Sequence, residues 1–226
     1  MKQKVVIFGA TEMAVLMHFY LTHDSSYEVV AFTVNRDYLE KEVFDGLPVV
    51  PFEEVGSLYP SANHKMFVAL WFGRMNKKRA EMYSQAKAKG YELISYISSK
   101  AITWPGLVIG DNSFIGEGSV INPFAEIGNN VIIAGGFIGH NSRIKDHCFL
   151  AAHAVVLGGV TINPYCFLGA NSTIREGVVM GKECLIGAGA TITKNTKERS
   201  VYIEKTADLF AETGNALNIC LTWPVK

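Results

Sequence analysis

The chain lacks several features that would point to a function class at once. Its 226 residues have no charge excess, because 21 Lys and Arg residues balance 21 Asp and Glu residues. This balance gives no basic field for nucleic acid, so an anionic ligand must be held by a local group of donors. The sequence also has no apolar run long enough to span a bilayer and no signal-peptide pattern. We therefore expect a cytoplasmic protein with neither a membrane span nor a nucleic-acid partner.

Cysteine is scarce, and its spacing differs from that of a metal site. Three of the four cysteines, Cys148, Cys166 and Cys184, are separated by 18 residues each time. No common zinc motif has this spacing, so we expect no bound metal. A repeat whose period divides 18 explains it better.

A six-residue repeat begins near residue 108 and is interpreted before any other feature. An aliphatic residue recurs every six positions, with one interval of five, and the series is Ile109, Ile115, Ile121, Ile127, Ile133, Ile138, Ile144, Leu150, Val156, Ile162, Leu168, Ile174, Met180, Ile186 and Ile192. The residue that follows is often Gly or Asn, and we expect these residues to provide turn conformations.

Each unit predicts one short strand and a tight turn, and three units close a triangular coil of 18 residues. Stacked coils pair their strands in parallel, about 4.8 Å apart. The aliphatic and small side chains point inward, so the three cysteines are expected to form an interior ladder. The interval of five between Ile133 and Ile138 predicts a distorted coil. Because His140 follows that break directly, a site is expected there.

The first hundred residues alternate between strand and helix patterns, which predicts a small Rossmann-like α/β domain. Strands are expected over 4–9, 27–34, 65–70 and 91–97, and helices from Thr11 to about Leu21 and from Asn76 to Lys89. The turn after the first strand has only Gly9 of the G-x-G-x-x-G fingerprint, so NAD is not expected. A further helix is expected from about Thr206 to Leu217.

These patterns together resemble the hexapeptide-repeat acyltransferases, and within them the sugar acyltransferases of the sialic acid O-acetyltransferase and UDP-4-amino-sugar N-acetyltransferase (bacillosamine-type) branch. The resemblance implies a Rossmann-like domain over 1–97 that binds the nucleotide-sugar, a left-handed parallel β-helix of about five coils over 107–195, and a tail with a helix over 196–226. It also implies a homotrimer with acetyl-CoA in the groove between neighbouring β-helices.

The resemblance also implies roles for individual residues. The family's catalytic histidine falls on His140, and its thioester site on Gly158, whose backbone N–H would face the carbonyl. Asn141 stands where a neighbouring acidic residue often orients the ring, so the base is less basic here, or Asp146 or another carboxylate is its partner. The other expected contacts are Ala170, Ala188 and His153 for acetyl-CoA, and Gly9, Asn35, Gly73, Arg79, Asn122 and Asn141 for the sugar substrate.

Direct acyl transfer from a thioester needs a base that takes the acceptor's proton and a donor that stabilises the oxyanion. A histidine suits the first task at neutral pH, and a backbone N–H suits the second. We therefore expect an acetyl-CoA-dependent sugar acetyltransferase that acts on an amino group. One alternative is O-acetylation of a sugar hydroxyl, which needs the same base. A more distant alternative is a β-helical zinc carbonic anhydrase with His140, His147 and His153 as ligands, while His147 is otherwise expected to be structural or solvated.

Overall fold

The computed structural model describes residues 2–205, and the helix expected from Thr206 lies outside this range. The first part of the chain forms a five-stranded sheet in the order β3-β4-β2-β1-β5, in which only the β3–β4 pair is antiparallel. Its strands are β1 (Gln3–Phe8), β2 (Tyr27–Val34), β3 (Val43–Phe44), β4 (Leu47–Pro51) and β5 (His64–Val68), and its helices are α1 (Glu12–His23), α2 (Val55–Leu58) and α3 (Lys77–Ala88), with a 3-10 turn at Arg36–Tyr38.

The strand expected over 91–97 is much shorter in the structure, where β6 covers only Tyr96–Ile97. The segment first runs beside β5, with a single parallel bridge between Met66 and Leu93. It then leaves that sheet, and β6 pairs with a strand of the second part of the chain, at Phe114–Ile115. One short segment therefore joins two sheets, which interrupts the strand that the apolar pattern predicts.

The second part of the chain is a three-sided parallel β-helix built from two-residue strands. In chain order after β6 these are β7 (Val108–Ile109), β8 (Phe114–Ile115), β9 (Val120–Ile121), β10 (Glu126–Ile127), β11 (Ile132–Ile133), β12 (Phe137–Ile138), β13 (Arg143–Ile144), β14 (Phe149–Leu150), β15 (Val155–Val156), β16 (Thr161–Ile162), β17 (Phe167–Leu168), β18 (Thr173–Ile174), β19 (Val179–Met180), β20 (Leu185–Ile186), β21 (Thr191–Ile192) and β22 (Val201–Tyr202). The stacked parallel sheets fit a left-handed β-helix.

This β-helix has three faces, each a stack of parallel strands, and three corners that join them. Face 1 contains β6, β8, β11, β14, β17, β20 and β22; face 2 contains β9, β12, β15, β18 and β21; and face 3 contains β7, β10, β13, β16 and β19. The chain passes from face 1 to face 2 at the first corner, from face 2 to face 3 at the second, and from face 3 to face 1 at the third. Face 1 extends beyond 107–195, because β6 and β22 add a strand at each end.

The interior follows the predicted repeat. The aliphatic residue of each strand is buried from Ile115 to Ile192, and the three cysteines are free, fully buried and part of the same apolar cluster. Each thiol also lies near the carbonyl oxygen of a residue one coil further on, for example Cys166 Sγ at 3.2 Å from Gly181 O. Burial raises the pKa of the Cys148 thiol well above its usual range.

The glycines have a different role from the one expected. Positive φ occurs at the third residue after the aliphatic one, for example at Asn141 (56°) and His153 (56°). The glycine directly after the aliphatic residue is instead required by close packing between coils. A Cβ on Gly169 would lie 2.5 Å from the backbone nitrogen of Ala188 in the next coil.

The first part of the chain packs on face 1. Outward-facing side chains of that face, including Phe114, Ile132 and Phe149, belong to one apolar cluster with Met13 and Met17 of α1. Burying a large apolar side chain stabilises a fold by about 1.5–3 kcal/mol, so these contacts hold the two parts together. Faces 2 and 3 are thereby left free of the N-terminal sheet. None of the helices within residues 2–205 is long and apolar enough to cross a membrane.

Candidate active site at the second corner

The break in the repeat lies one corner before His140. Ile133 and Ile138 pair with Leu150 and Val156 in the next coil, so both strands keep their register. The missing residue therefore shortens the first corner, at 134–136. His140 lies at the second corner, which has its full length and is exposed. The coil is thus distorted as expected, but the distortion lies at the first corner and not at His140.

The ring of His140 lies directly over Gly158, which occupies the second corner one coil further on. A Cβ on Gly158 would lie 2.7 Å from Nε2 and 2.8 Å from Cε1 of this ring. The two corners are also joined through the backbone, because Gly159 N–H donates to the His140 carbonyl oxygen, with N and O 2.8 Å apart. The missing side chain of Gly158 is therefore what makes room for the imidazole.

The backbone N–H of Gly158 donates to no acceptor among residues 2–205. The same holds at Ala170 and Ala188, which have the equivalent position at the first corner, so a free N–H is a general property of this corner position. What distinguishes Gly158 is the histidine beside it. A free donor next to a potential base is the pair that acyl transfer requires.

Asn141 contacts the imidazole from the same corner. Its Nδ2 lies 3.1 Å from His140 Nδ1. Asp146, which was an alternative partner for the ring, lies at the third corner, where its Oδ1 accepts from Asn129 N–H at 2.8 Å. The carboxylate of Asp146 therefore accepts a hydrogen bond at the third corner, and the residue that contacts His140 is Asn141.

The residues expected to bind acetyl-CoA lie at another corner. His153, Ala170 and Ala188 stack in successive coils at the first corner, and His153 and Ala188 are exposed. Gly189 N–H donates to the Ala170 carbonyl at 2.9 Å, which links two of these coils. Face 2 separates this corner from His140 and Gly158, so the structure groups the expected residues along the two edges of one face.

The N-terminal sheet carries a cavity of about 470 Å³ at the carboxyl ends of its strands. Gly9 and Asn35 line it, so two residues expected to contact the sugar nucleotide lie together. Gly9 has a φ of 127° and a Cβ there would lie 2.8 Å from the Ala69 carbonyl oxygen, so this position requires glycine. Lys41 and Lys78 also line the cavity and provide positive charge for an anionic ligand.

Gly73 and Arg79 do not line this cavity. Gly73 is exposed in the turn before α3. Arg79 is completely buried between α3 and the third corner, so the expectation that it contacts a nucleotide is wrong. Its guanidinium donates to the carbonyl oxygens of Trp71, Asn130 and Cys148 and to the side-chain oxygens of Asn76 and Asn130, at 3.0–3.2 Å. Burial lowers the pKa of Arg79 to about 9, which leaves it charged at neutral pH.

Asn122 lies at the second corner one coil before His140, and its Nδ2 donates to the Ile138 carbonyl at 3.0 Å. It also lines a second cavity of about 430 Å³, together with Trp104 and Phe124. Trp104 and Phe124, unlike Asn122, were not among the residues expected at a site. Their exposure is the available signal, because Phe124 is 80% exposed although it is large and apolar.

The three histidines of the zinc alternative occupy three different corners. His140 is at the second corner, His147 at the third and His153 at the first. His147 packs against Tyr83 and its Nδ1 lies 2.9 Å from Asn130 Nδ2, while burial lowers its pKa. Residues 2–205 contain no cluster of three metal-ligating side chains. This arrangement does not favour a zinc site within one chain.

Phe44 also lines the N-terminal cavity, although the sequence pattern did not predict it there. Phe44 lies there because β3 and β4 form a hairpin, which brings it over the ends of the strands. The signal was present in the sequence, since Asp45-Gly46 between two short apolar stretches is typical of a two-residue hairpin turn. Both turn residues have positive φ, at 47° and 79°.

The β-helix with its corner site follows an α/β part of the chain, and its six-residue repeat is similar to that of known hexapeptide families. Residues 106–136 and 141–176 match the family described as bacterial transferase hexapeptide (six repeats), and residues 165–194 match the hexapeptide repeat of succinyl-transferase. The expected resemblance to hexapeptide-repeat transferases is thus confirmed. No curated protein matches the chain in sequence.

Several solved structures share the fold over nearly the whole chain. Perosamine N-acetyltransferase from Caulobacter crescentus, in complex with CoA and GDP-perosamine, is 24% identical with a TM-score of 0.79, covering 89% of this chain and 94% of that one. The acetyltransferase domain of PglB from Neisseria gonorrhoeae, in complex with acetyl coenzyme A, is 19% identical with a TM-score of 0.80, covering 90% and 97%. WeeI from Acinetobacter baumannii is 18% identical with a TM-score of 0.75, covering 88% and 96%.

Proposed function

We propose that this protein transfers an acetyl group from acetyl-CoA to an amino group of a nucleotide-linked sugar. The observation that carries the proposal is the ring of His140 lying on Gly158, whose N–H is free among the described residues. Two structures of the same fold hold CoA or acetyl-CoA, and one of them also holds a GDP-linked amino sugar. These neighbours support a thioester donor and a sugar acceptor for this chain.

In the proposed mechanism His140 Nε2 takes a proton from the amine as the new C–N bond forms. The Gly158 N–H donates to the oxyanion of the tetrahedral intermediate, and the thiolate of CoA leaves. Each of these contributions is worth on the order of 10²–10⁴ in rate. Transfer is direct, so no cysteine nucleophile is needed, which agrees with the complete burial of Cys148, Cys166 and Cys184.

The proposed architecture has residues 1–97 as a Rossmann-like domain for the sugar nucleotide and 107–195 as the core of a left-handed β-helix. Gly9 and Asn35 in the N-terminal cavity are the proposed nucleotide contacts, with Lys41 and Lys78 facing the phosphates. Ala170, Ala188 and His153 at the first corner are the proposed contacts for the CoA arm. A homotrimer in the cytoplasm is part of the same proposal, because exposed His140 needs a second surface to exclude water.

A thiol-release assay with acetyl-CoA tests this proposal. The acceptors are GDP-, UDP- and dTDP-linked amino sugars and the corresponding hydroxyl sugars. Turnover with one amino sugar, together with loss of turnover in His140→Ala, supports N-acetylation. His23→Gln is the matched control, because His23 is an exposed histidine at the end of α1. Turnover only with a hydroxyl sugar favours O-acetylation, and no turnover with any acceptor contradicts the proposal.

A further inference from the structure

Three polar residues stack at the third corner of the β-helix, against the α/β part of the chain. Asn112, Asn130 and His147 hold the same corner position in successive coils, with φ of 53°, 55° and 62°. Hydrogen bonds connect them, because Asn112 Nδ2 donates to Asn130 Oδ1 at 2.8 Å and Asn130 Nδ2 lies 2.9 Å from His147 Nδ1. Both asparagines are buried, so water does not replace these partners.

The α/β part fixes the direction of this chain of hydrogen bonds. The backbone N–H of Val68, at the end of β5, donates to Asn112 Oδ1 at 2.7 Å, which leaves Asn112 Nδ2 to donate to the next coil. Arg79 Nε, on α3, donates to Asn130 Oδ1 at 3.2 Å. A guanidinium has no acceptor, so the oxygen of Asn130 must face Arg79 and its NH₂ group must face His147. The Nδ1 atom of His147 therefore has to accept.

Only one form of the imidazole meets this requirement, the neutral ring with its proton on Nε2 and a bare Nδ1. A protonated ring donates from both nitrogens and would place an N–H against the NH₂ group of Asn130. The amide of Asn130 cannot turn to offer its oxygen, because it would then turn its NH₂ group toward the donors of Arg79 and Asn112. Protonation of His147 therefore breaks this hydrogen bond and leaves a buried donor without a partner.

The His147 ring lies between aromatic rings from both parts of the chain. The ring of Tyr83, on α3, packs edge-on with its centroid at 5.6 Å, and the ring of Tyr165, one coil further on, lies at 4.8 Å. The charged groups beyond these two rings are Asp111 and Lys87 on the side of Tyr83 and Lys182 on the side of Tyr165.

Two further charges act on His147, those of Asp146 and Arg79. Burial lowers the pKa of His147 below its ordinary value of 6.5, while the charge of Asp146 opposes this shift and that of Arg79 adds to it. The carboxylate of Asp146 already accepts from the backbone N–H of Asn129 at 2.8 Å. The surroundings of the ring thus favour its neutral form, in agreement with the hydrogen-bond pattern.

We propose that His147 makes the contact between α3 and the third corner sensitive to pH: the contact requires a neutral ring with its proton on Nε2, and protonation of Nδ1 weakens it. The α/β part carries the N-terminal cavity and the β-helix carries His140, so this contact helps to fix the distance between the two. Acidification then acts on their relative position without a change in the residues of either site. None of this depends on which reaction the chain catalyses.

The burial of His147 determines how stability changes with pH. As the pH falls, the unfolded chain takes up this proton near pH 6.5, before the folded chain does, so the folded state loses stability below that pH. Between pH 6.5 and the titration of the folded ring, the folding equilibrium constant should fall by up to about tenfold per pH unit because of this residue. Urea unfolding of the full chain from about pH 5.5 to 8 measures this change.

His147→Asn removes the titration and keeps the hydrogen bond. Asparagine Oδ1 takes the place of the ring Nδ1 and accepts from Asn130, and asparagine tolerates a φ of 62°. We expect this variant to lack the loss of stability below pH 6.5 that the unsubstituted protein shows. His153→Asn is the control, because it makes the same exchange at an exposed first-corner position with a φ of 56°, and it should keep that loss.

Asn130→Asp should reverse the sign of the pH dependence. A carboxylate at this position accepts from a protonated Nδ1, so it raises the pKa of His147 in the fold. Stability should then rise as the pH falls through the raised pKa towards 6.5, relative to a double variant that combines Asn130→Asp with His147→Asn. A residue that only fills space between α3 and the third corner would not produce this reversal.

Nitrogen chemical shifts of protein labelled with ¹⁵N-histidine give an independent measurement, with His147→Asn used to assign the ring. At neutral pH, His147 should show a protonated Nε2 and a bare Nδ1. A protonated Nδ1, or unfolding profiles that run parallel in the unsubstituted protein and His147→Asn, overturns the inference, as does a fall in stability of unchanged sign in Asn130→Asp. If Asn130→Asp does not fold, the other two measurements decide.

Discussion

A single methyl group at Gly158 can test the role of the His140 ring, because this glycine lies directly against the ring. In Gly158→Ala the new Cβ would lie 2.7 Å from Nε2, whereas ordinary van der Waals contact begins at 3.4 Å. The ring must therefore retreat by about 0.7 Å, taking the difference between these two distances. Gly158 does not have a positive φ, so its own backbone accepts alanine without strain.

The displacement predicts a specific loss of activity with little loss of stability. His140 is exposed and can turn about its side-chain bonds, so the free energy of unfolding should change by less than about 1 kcal/mol. A misplacement on the order of 1 Å at a reacting group can lower the rate by about 10²-fold. We therefore expect kcat/KM in the thiol-release assay to fall by roughly 10–100-fold, with a melting temperature close to that of the unsubstituted protein.

Two neighbouring glycines are matched controls for this experiment. In Gly139→Ala the Cβ would lie 2.5 Å from the backbone nitrogen of Gly158, so we expect a loss of stability on the order of 1–3 kcal/mol. In Gly159→Ala the Cβ meets nothing within 4 Å, but φ is 66°, so we expect a cost of about 1 kcal/mol and a small effect on rate. If Gly158→Ala retains full activity, the position of the ring over Gly158 is not the one that catalyses the reaction.

Three further predictions concern stability and reactivity. Arg79→Met should lower the free energy of unfolding in urea by roughly 3–5 kcal/mol, because it leaves several buried carbonyl oxygens unpaired, and a loss below about 1 kcal/mol would contradict this role. Hydrogen bonds from Ser99 and Tyr96 hold the pKa of Asp24 at about 2, below the ordinary aspartate pKa near 4. The ionised Asp24 therefore stabilises the fold above pH 4, and this stabilisation is lost as the pH falls from 4 to 2. Asp24→Asn should flatten the acid side of the unfolding profile in that window, and an unchanged slope would refute the assignment. The three ladder cysteines should resist a thiol reagent in the folded protein and react after denaturation, and rapid modification without unfolding would argue against their burial.

The sequence was sufficient to predict the β-helix because its period is strict. A six-residue spacing of aliphatic residues leaves one way to bury them together, and the strands of the structure fall on that spacing. The positions of β1, β2, α1 and α3 were also predicted closely from local patterns. These elements follow from short-range physics, namely apolar periodicity and the signals at helix ends.

Properties that depend on contacts between distant residues could not be predicted in the same way. Arg79 is far in the sequence from Asn130 and Cys148, so nothing local indicated that it would be buried between α3 and the β-helix. The glycines after the aliphatic residues were attributed to turn conformation, but the structure shows that the next coil requires them. His153 was expected to contact acetyl-CoA, and the structure places it at the first corner, which face 2 separates from His140 at the second corner.

The most direct test of the central proposal compares the unsubstituted protein with His140→Ala in the thiol-release assay, using acetyl-CoA and a GDP-linked amino sugar first. Other nucleotide-linked amino sugars follow if this one is not an acceptor. We predict release of CoA that depends on the amino sugar and falls by about 10²–10⁴-fold in His140→Ala, while the variant unfolds at the same temperature. Equal rates in the two proteins would contradict the assignment of His140 as the base, and the absence of acceptor-dependent release would contradict the proposed function.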